Sequence, residues 1–350
     1  FFLLDSSLLL LGFKLLLFLL LVHCCQSRWL TCWSKRKGSL VIMEGNPPNF
    51  RGQPTSENLL CFSGHEWFNL HSWSWENPME SAPLPTLVCV HGLTRNGRDF
   101  DFLAKHLLSK KNLQYKRVVC PDVVGRGKSG WLTTHYQDYG YPLYTSSISS
   151  LLAHHLVLSD QKSIDFVGTS MGGLIGMMLA TVPNSPIRKL VLNDIGAEIP
   201  RESLVRIAQY ASKPPPVFDT EKEVVEYMMN IHAPFGLSQQ EWESMVPFGI
   251  RRDEITNKIT LGYDPHITHA FSGDPEKQEK LEFWELWKAI KCPVMIVRGE
   301  KSDLLTEEIV NKMKETNEML VDVLVVKGVG HAPGLANVEQ SEAIAKFLAQ

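Results

Sequence analysis

Gly168-Thr169-Ser170-Met171-Gly172 has the spacing G-x-S-x-G and stands between a β-branched run and an apolar run of helical period. In that strand–turn–helix setting a serine hydroxyl is displayed rather than packed. The flanking glycines let so tight a turn close, and the amides opening the next helix point toward developing negative charge. A serine hydroxyl is a poor nucleophile until a base takes its proton. His331 is the expected base, in Gly328-Val329-Gly330-His331-Ala332-Pro333 directly after Val321–Val326. His154 and His155 fall on a predicted helix and His266 and His269 in an insertion, so they fit less well. The base needs an acid that orients it and stabilises its charged form. Asp303, in RGEKSDLL just after the strand-like PVMIV, is the expected acid; Asp194, at the end of another strand, is the alternative, and Glu300 ranks third. Two main-chain donors must face the oxyanion. They are expected from Met171 and from Leu93, in HGLTRNG, where His91 braces the loop. This set predicts acyl transfer to water, with Ser170 attacking the carbonyl of a carboxylic ester or thioester of modest size.

The elements that must position these residues follow from periodicity. Thr86–Val90, Arg117–Cys120, Ser163–Val167, Ile187–Leu192, Pro293–Val297 and Val321–Val326 read as strands. Asp99–Leu108, Ser146–Leu158, Gly172–Ala180, 306–316 and 337–349 read as helices. Alternation of this kind predicts an α/β fold with a mostly parallel sheet covered on both faces. It breaks over 197–290, too long a stretch for an ordinary connection and richer in charge, Pro and aromatics. Helices are expected near 201–211, 221–231 and 238–245. The predicted organisation is a core of 50–196 and 291–350, opened by antiparallel strands within 50–80, with 197–290 inserted as a helical cap. Trp242, Phe248, Trp284 and Trp287 are candidate linings of an apolar acyl pocket, although aromatics more often fill a core.

HGLTRNG, PDVVGRGKS, GTSMGG, RGEKSDLL and GVGHAP, in that order over 86–333, resemble the α/β-hydrolase superfamily in its cap-bearing, esterase-like branch. Asp122, Gly125, Gly127 and Ser129 meet its Asp-x-x-Gly-x-Gly-x-Ser pattern. The resemblance implies an eight-stranded, mostly parallel sheet flanked by helices, a Ser-His-Asp machine and no cofactor. Other motifs fall short. Gly127-Lys128-Ser129 lacks the phosphate-loop glycine, because Asp122 stands five residues before Gly127; His65-Glu66 meets Asn69 where a zinc motif needs its second His. Gly125-x-Gly127-x-x-Gly130 opens no immediate helix. His155 and Asp160 lie five apart on one helix and do not face each other.

Of 350 residues, 44% are hydrophobic and 21% charged, close to a soluble globular average. A net charge of -3 does not mark a nucleic-acid binder. The average hides a split, because residues 1–42 carry +4 and the remainder -7. Twelve Leu and four Phe fill residues 1–22, interrupted by Asp5 and Lys14. Three readings fit this prefix, which has no counterpart in the superfamily: an upstream extension before Met43, a membrane anchor, or a cleaved signal. A start at Met43 implies a cytoplasmic enzyme; an anchor at 1–22, with Arg28 and Lys35–Lys37 behind it, implies a membrane-tethered one facing the cytoplasm. Cys24, Cys25, Cys32, Cys61, Cys89, Cys120 and Cys292 show neither C-x-x-C nor metal spacing and are read as reduced.

The expected partner is a small ester-like molecule, with no nucleic acid and no metal. A carbon–carbon bond hydrolase or lactonase would use the same triad. A slow-turnover ligand receptor of this fold, or a membrane-tethered scaffold, are the non-hydrolase readings; a scaffold has no need of a nucleophile, base and acid. Epoxide-hydrolase and dehalogenase types drop out because they use Asp where Ser170 stands.

Overall fold

A computed structural model describes residues 53–77, 84–110, 115–211, 215–271 and 279–350. The prefix, its three readings, and Cys24, Cys25 and Cys32 lie outside the described residues. The described residues open with an antiparallel pair, β1 (Thr55–Phe62) and β2 (Trp67–Glu76), then alternate. The elements run β3 (Thr86–Val90), α1 (Asp101–Leu108), β4 (Arg117–Pro121), α2 (Tyr141–Ser159), β5 (Ile164–Thr169), α3 (Met171–Ala180) and β6 (Ile187–Asn193). After an insertion come β12 (Val294–Gly299), α8 (Glu307–Thr316), β13 (Leu320–Val326) and α9 (Val338–Ala349), leaving β7–β11 and α4–α7 for the inserted elements.

The eight strands stand in the order β1-β2-β4-β3-β5-β6-β12-β13, parallel from β4 onward. The β-branched runs read as strands because both faces are covered. Val88, Val90, Phe166, Leu190 and Ile296 pack on one side with Ile148 and Leu151 of α2 and Leu174 and Ile175 of α3. Leu87, Cys89, Val167, Val191 and Met295 pack on the other with Leu103 and Leu107 of α1 and Phe347 and Leu348 of α9. Alternate residues of each strand thus feed two cores. Cys61, Cys89, Cys120 and Cys292 are free and buried, behaving as small apolar side chains.

The insertion contains β7 (Glu198–Ile199), α4 (Arg201–Ala211), β8 (Val217–Phe218), α5 (Glu221–Ile231), α6 (Gln239–Met245), β9 (Ile250–Arg252), β10 (Ile259–Leu261), β11 (Leu281–Glu282) and α7 (Trp284–Ala289). Capping boxes start two helices: Thr220 with Glu223 opens α5, and Ser238 with Glu241 opens α6. The cap is less purely helical than its sequence suggests, because β8, β10 and β9 form a small antiparallel sheet and β11 pairs with β7. Strands of two or three residues are too short to register as a period-two pattern. No helix among the described residues is long and apolar enough to cross a membrane.

Candidate active site

The serine of G-x-S-x-G sits where β5 turns into α3. Ser170 has φ 51° and ψ -114°, left-handed backbone that a non-glycine residue adopts only when its surroundings impose it. The imposition is visible. Ser170 N–H donates to the Asn193 carbonyl at 2.9 Å. A Cβ on Gly168 would overlap the Gly172 carbonyl, and one on Gly172 would overlap the Val90 carbonyl. The turn therefore lies against the end of β3, with Oγ lifted into a cavity.

His331 arrives in the loop after β13. Its Nε2 accepts from Ser170 Oγ at 3.0 Å, and its Nδ1–H donates to Asp194 Oδ2 at 2.8 Å. Asp194 is fully buried at the end of β6. Its carboxylate also accepts from Gly299 N–H at 2.8 Å and from Ser302 Oγ at 2.6 Å. Three donors satisfy a buried charge that would otherwise be costly.

The carboxylate beside the imidazole is where the geometry departs from the sequence expectation. Asp303 does not hold the imidazole: His331 Nδ1 is taken by Asp194. Asp303 is 49% exposed and is clamped by Arg206 of α4, whose Nε and Nη2 donate to its two oxygens at 2.7 and 2.9 Å. β6 is the immediate neighbour of β5, whereas β12 lies one strand farther from Ser170. The loop after β12 reaches inward through Ser302, one residue short of Asp303, and leaves Asp303 to tie core to cap. Glu300, the third candidate, accepts from Gly328 N–H instead.

Leu93 and Met171 both line the cavity beside Ser170. Neither amide donates to another protein group among the described residues. His91, fully buried, braces this loop. Its Nε2 accepts from Val123 N–H at 2.9 Å and its Nδ1–H donates to the Gly92 carbonyl at 2.7 Å. That carbonyl shares a peptide plane with Leu93 N–H, so fixing one directs the other away from it. Burial holds the His91 pKa down to about 4, against the Gly92 carbonyl and Asp122, which raise it. The unfolded chain takes up a proton near 6.5, so between about pH 6.5 and pH 4 it binds more protons than the fold does. Stability is full above that window and falls as pH drops through it, by roughly 3 kcal/mol from this group. Urea unfolding from pH 7 to pH 4 should show the loss, and His91→Gln, weaker at pH 7, should show a shallower slope.

The cavity over Ser170 has a volume of about 690 Å³. Ile195, Ile199, Leu204, Ile207, Phe235, Leu237 and Met245 form apolar walls, while Thr94, Arg95, Arg206 and His232 add polar ones. Burial, then Arg95, His331 and Arg206, push the His232 pKa down to about 3, so its ring is uncharged at neutral pH. The four aromatics offered as linings are absent from this wall. Trp242 and Trp287 are core residues, with Trp287 Nε1 donating to the Met313 carbonyl at 3.0 Å. Trp284 donates to Glu198, and Phe248 lies under the Arg98 guanidinium. Single aromatics carry no periodicity that separates wall from core. No group of three or more metal-ligating side chains occurs among the described residues.

Against known proteins, the profile of the Alpha/beta hydrolase family matches residues 87–347. The chain belongs to the α/β-hydrolase family. It is a hydrolase of that fold, in the esterase-like branch. Over 277 residues it is 38% identical to a 3-hydroxybutyrate-oligomer hydrolase of Cupriavidus necator, covering 77% of this chain and 90% of that one. A solved α/β hydrolase from Novosphingobium aromaticivorans is 27% identical with TM-score 0.71, covering 85% of this chain and 98% of its own. A solved chain from Rickettsia typhi, 30% identical, has the same TM-score and coverage. The sequence pattern missed Ser302 and Asn193, which bond to the groups around His331 and Ser170. Asn193 Nδ2 donates to Thr169 Oγ1 at 3.0 Å and to the Pro333 carbonyl at 2.8 Å, joining the Ser170 turn to the His331 loop. Their only signal was position, each adjacent to an acidic residue at a strand end.

Proposed function

We propose that this hydrolase cleaves carboxylic esters through an acyl-enzyme on Ser170. His331 takes the Ser170 proton as Oγ attacks the carbonyl carbon, and Asp194 orients the imidazole and stabilises its charged form. The Leu93 and Met171 amides donate to the tetrahedral oxyanion. As the intermediate collapses, His331 returns the proton to the departing alcohol. Water, deprotonated by the same imidazole, then releases the acid. The observation that carries this reading is the continuous Ser170–His331–Asp194 hydrogen-bonded chain, 3.0 and 2.8 Å, at the floor of the cavity.

For the substrate we infer short oligoesters of a hydroxy acid. The supports are the Cupriavidus necator relative, matched over 90% of its length, and a cavity that combines apolar walls with Arg95, Arg206 and His232. Cavities of this size hold molecules of a few hundred daltons. The test incubates the protein with a fluorophosphonate, p-nitrophenyl butyrate, and the dimer and trimer of 3-hydroxybutyrate. Label on Ser170 with fast release of monomer supports the reading. Fast p-nitrophenyl ester turnover with inert oligomers would reject the oligoester and keep the esterase. Label without turnover of any ester would favour the receptor or carbon–carbon reading. No label on folded protein would overturn the Ser170 mechanism.

A further inference from the structure

We propose that Arg126 is a positioning residue for the oxyanion site, holding both expected donors in place and supplying an otherwise unpaired positive charge behind them; this rests on the Ser170 reading above. Arg126 is fully buried. Its Nε donates to the Leu93 carbonyl at 2.8 Å and its Nη1 to the Val124 carbonyl at 2.8 Å. Its Nη2 reaches Met171 Sδ at 3.6 Å. One guanidinium thus touches both Leu93 and Met171, which line the cavity. Its central carbon lies 4.7 Å from the Tyr144 ring centroid, so the ring face is its fourth wall.

No carboxylate among the described residues pairs with this cation. Asp122 and Asp264, which bond to residues flanking Arg126, have their carboxylates engaged elsewhere. Asp122 accepts from Gly97 N–H, Lys128 N–H and Trp73 Nε1, and Asp264 accepts from Tyr139 Oη and His266. Burying a cation without a counter-ion is costly, and an ordinary buried base escapes the cost by losing its proton. Arginine does not, because its guanidinium keeps its proton in proteins. The charge therefore persists at the oxyanion site, poorly screened by water. A carbonyl substrate brings no anion there. The tetrahedral intermediate does, so the attraction is larger in the transition state than in the ground state, the condition for a rate effect.

The backbone around Arg126 gives the side chain a fixed origin. Its N–H donates to the Val123 carbonyl, and Gly127 N–H donates to the Gly262 carbonyl at 2.8 Å, anchoring the turn to the segment after β10. The guanidinium does not line the cavity itself, so it acts through Leu93, Met171 and its field.

The test compares Arg126→Gln and Arg126→Met, two neutral replacements, with Arg126→Lys, which keeps the charge. Removing one direct oxyanion donor costs about 10²–10³ in kcat, so a group one layer behind should cost about 10–100-fold. We expect that loss in kcat for both neutral variants, with KM within about threefold. Arg126→Lys should recover most of it. Affinity for a boronic acid, which binds serine as a tetrahedral anion, should fall with kcat, while affinity for a neutral amide analogue stays level. A purely structural role would move KM, neutral-ligand affinity and Tm together without sparing the Lys variant. Unchanged kcat in either folded neutral variant, or equal damage in Lys, overturns the proposal. Fluorophosphonate labelling of the wild type runs beside it: an unlabelled Ser170 would sink the parent reading, whereas a labelled wild type with unaffected Arg126 variants sinks this proposal alone.

Discussion

Asp194→Asn should lower kcat by about ten-thousandfold, and Asp303→Asn should change it by less than about threefold. The contrast follows from where the two carboxylates sit. Asp194 is buried, 2.8 Å from His331 Nδ1, and holds that nitrogen's proton toward itself. An amide at this position would no longer be an acceptor-only group. The imidazole would be free to place its proton on Nε2, where it blocks acceptance of the Ser170 hydrogen, and the imidazolium formed during reaction would lose its anionic partner. Asp303 instead makes a half-exposed ion pair with Arg206, a contact of the kind that contributes about 0–1 kcal/mol. Steady-state kinetics on both variants, with Tm as the folding control, decides between them. Equal losses, or a larger loss at Asp303, would return the acid to the loop after β12.

Ser170→Ala should cost still more, about 10⁵–10⁶ in kcat, with KM little changed. Its fold should survive. His331 Nε2 is the side-chain partner of Ser170 Oγ among the described residues, and alanine bears the left-handed backbone of that turn no worse than serine does. Fluorophosphonate labelling should vanish while the circular dichroism spectrum and Tm stay within error. Retained burst kinetics in Ser170→Ala would place the nucleophile elsewhere. Because nucleophile and base act as a unit, the double variant with His331→Ala should be barely slower than Ser170→Ala alone.

The α/β architecture was legible in the amino-acid sequence because its signals are local. Thr86–Val90, Arg117–Cys120, Ser163–Val167 and Ile187–Leu192 each place apolar residues on both faces because both faces are covered, and each run is bounded by turn residues. The turn around Ser170 was legible for the same reason, since Gly168 and Gly172 are dictated by contacts a few residues away or on the adjoining strand. Sequence by itself thus determined the sheet, the helices that cover it, and the display of Ser170 and His331 at strand ends. It did not determine which acid joins them. Asp194 and Asp303 both follow strands, both lie between Ser170 and His331 in the chain, and differ only in which strand stands next to β5, a property of sheet order rather than of composition or period. The same holds for Arg126. Inside PDVVGRGKS it is one basic residue between two glycines; only packing from the loop after β3, α2 and α3 encloses it, leaves it without a carboxylate partner among the described residues and turns it toward Leu93 and Met171. Local spacing specifies what a residue is able to do, and the burial and neighbours that decide whether it does so come from segments far apart in the chain.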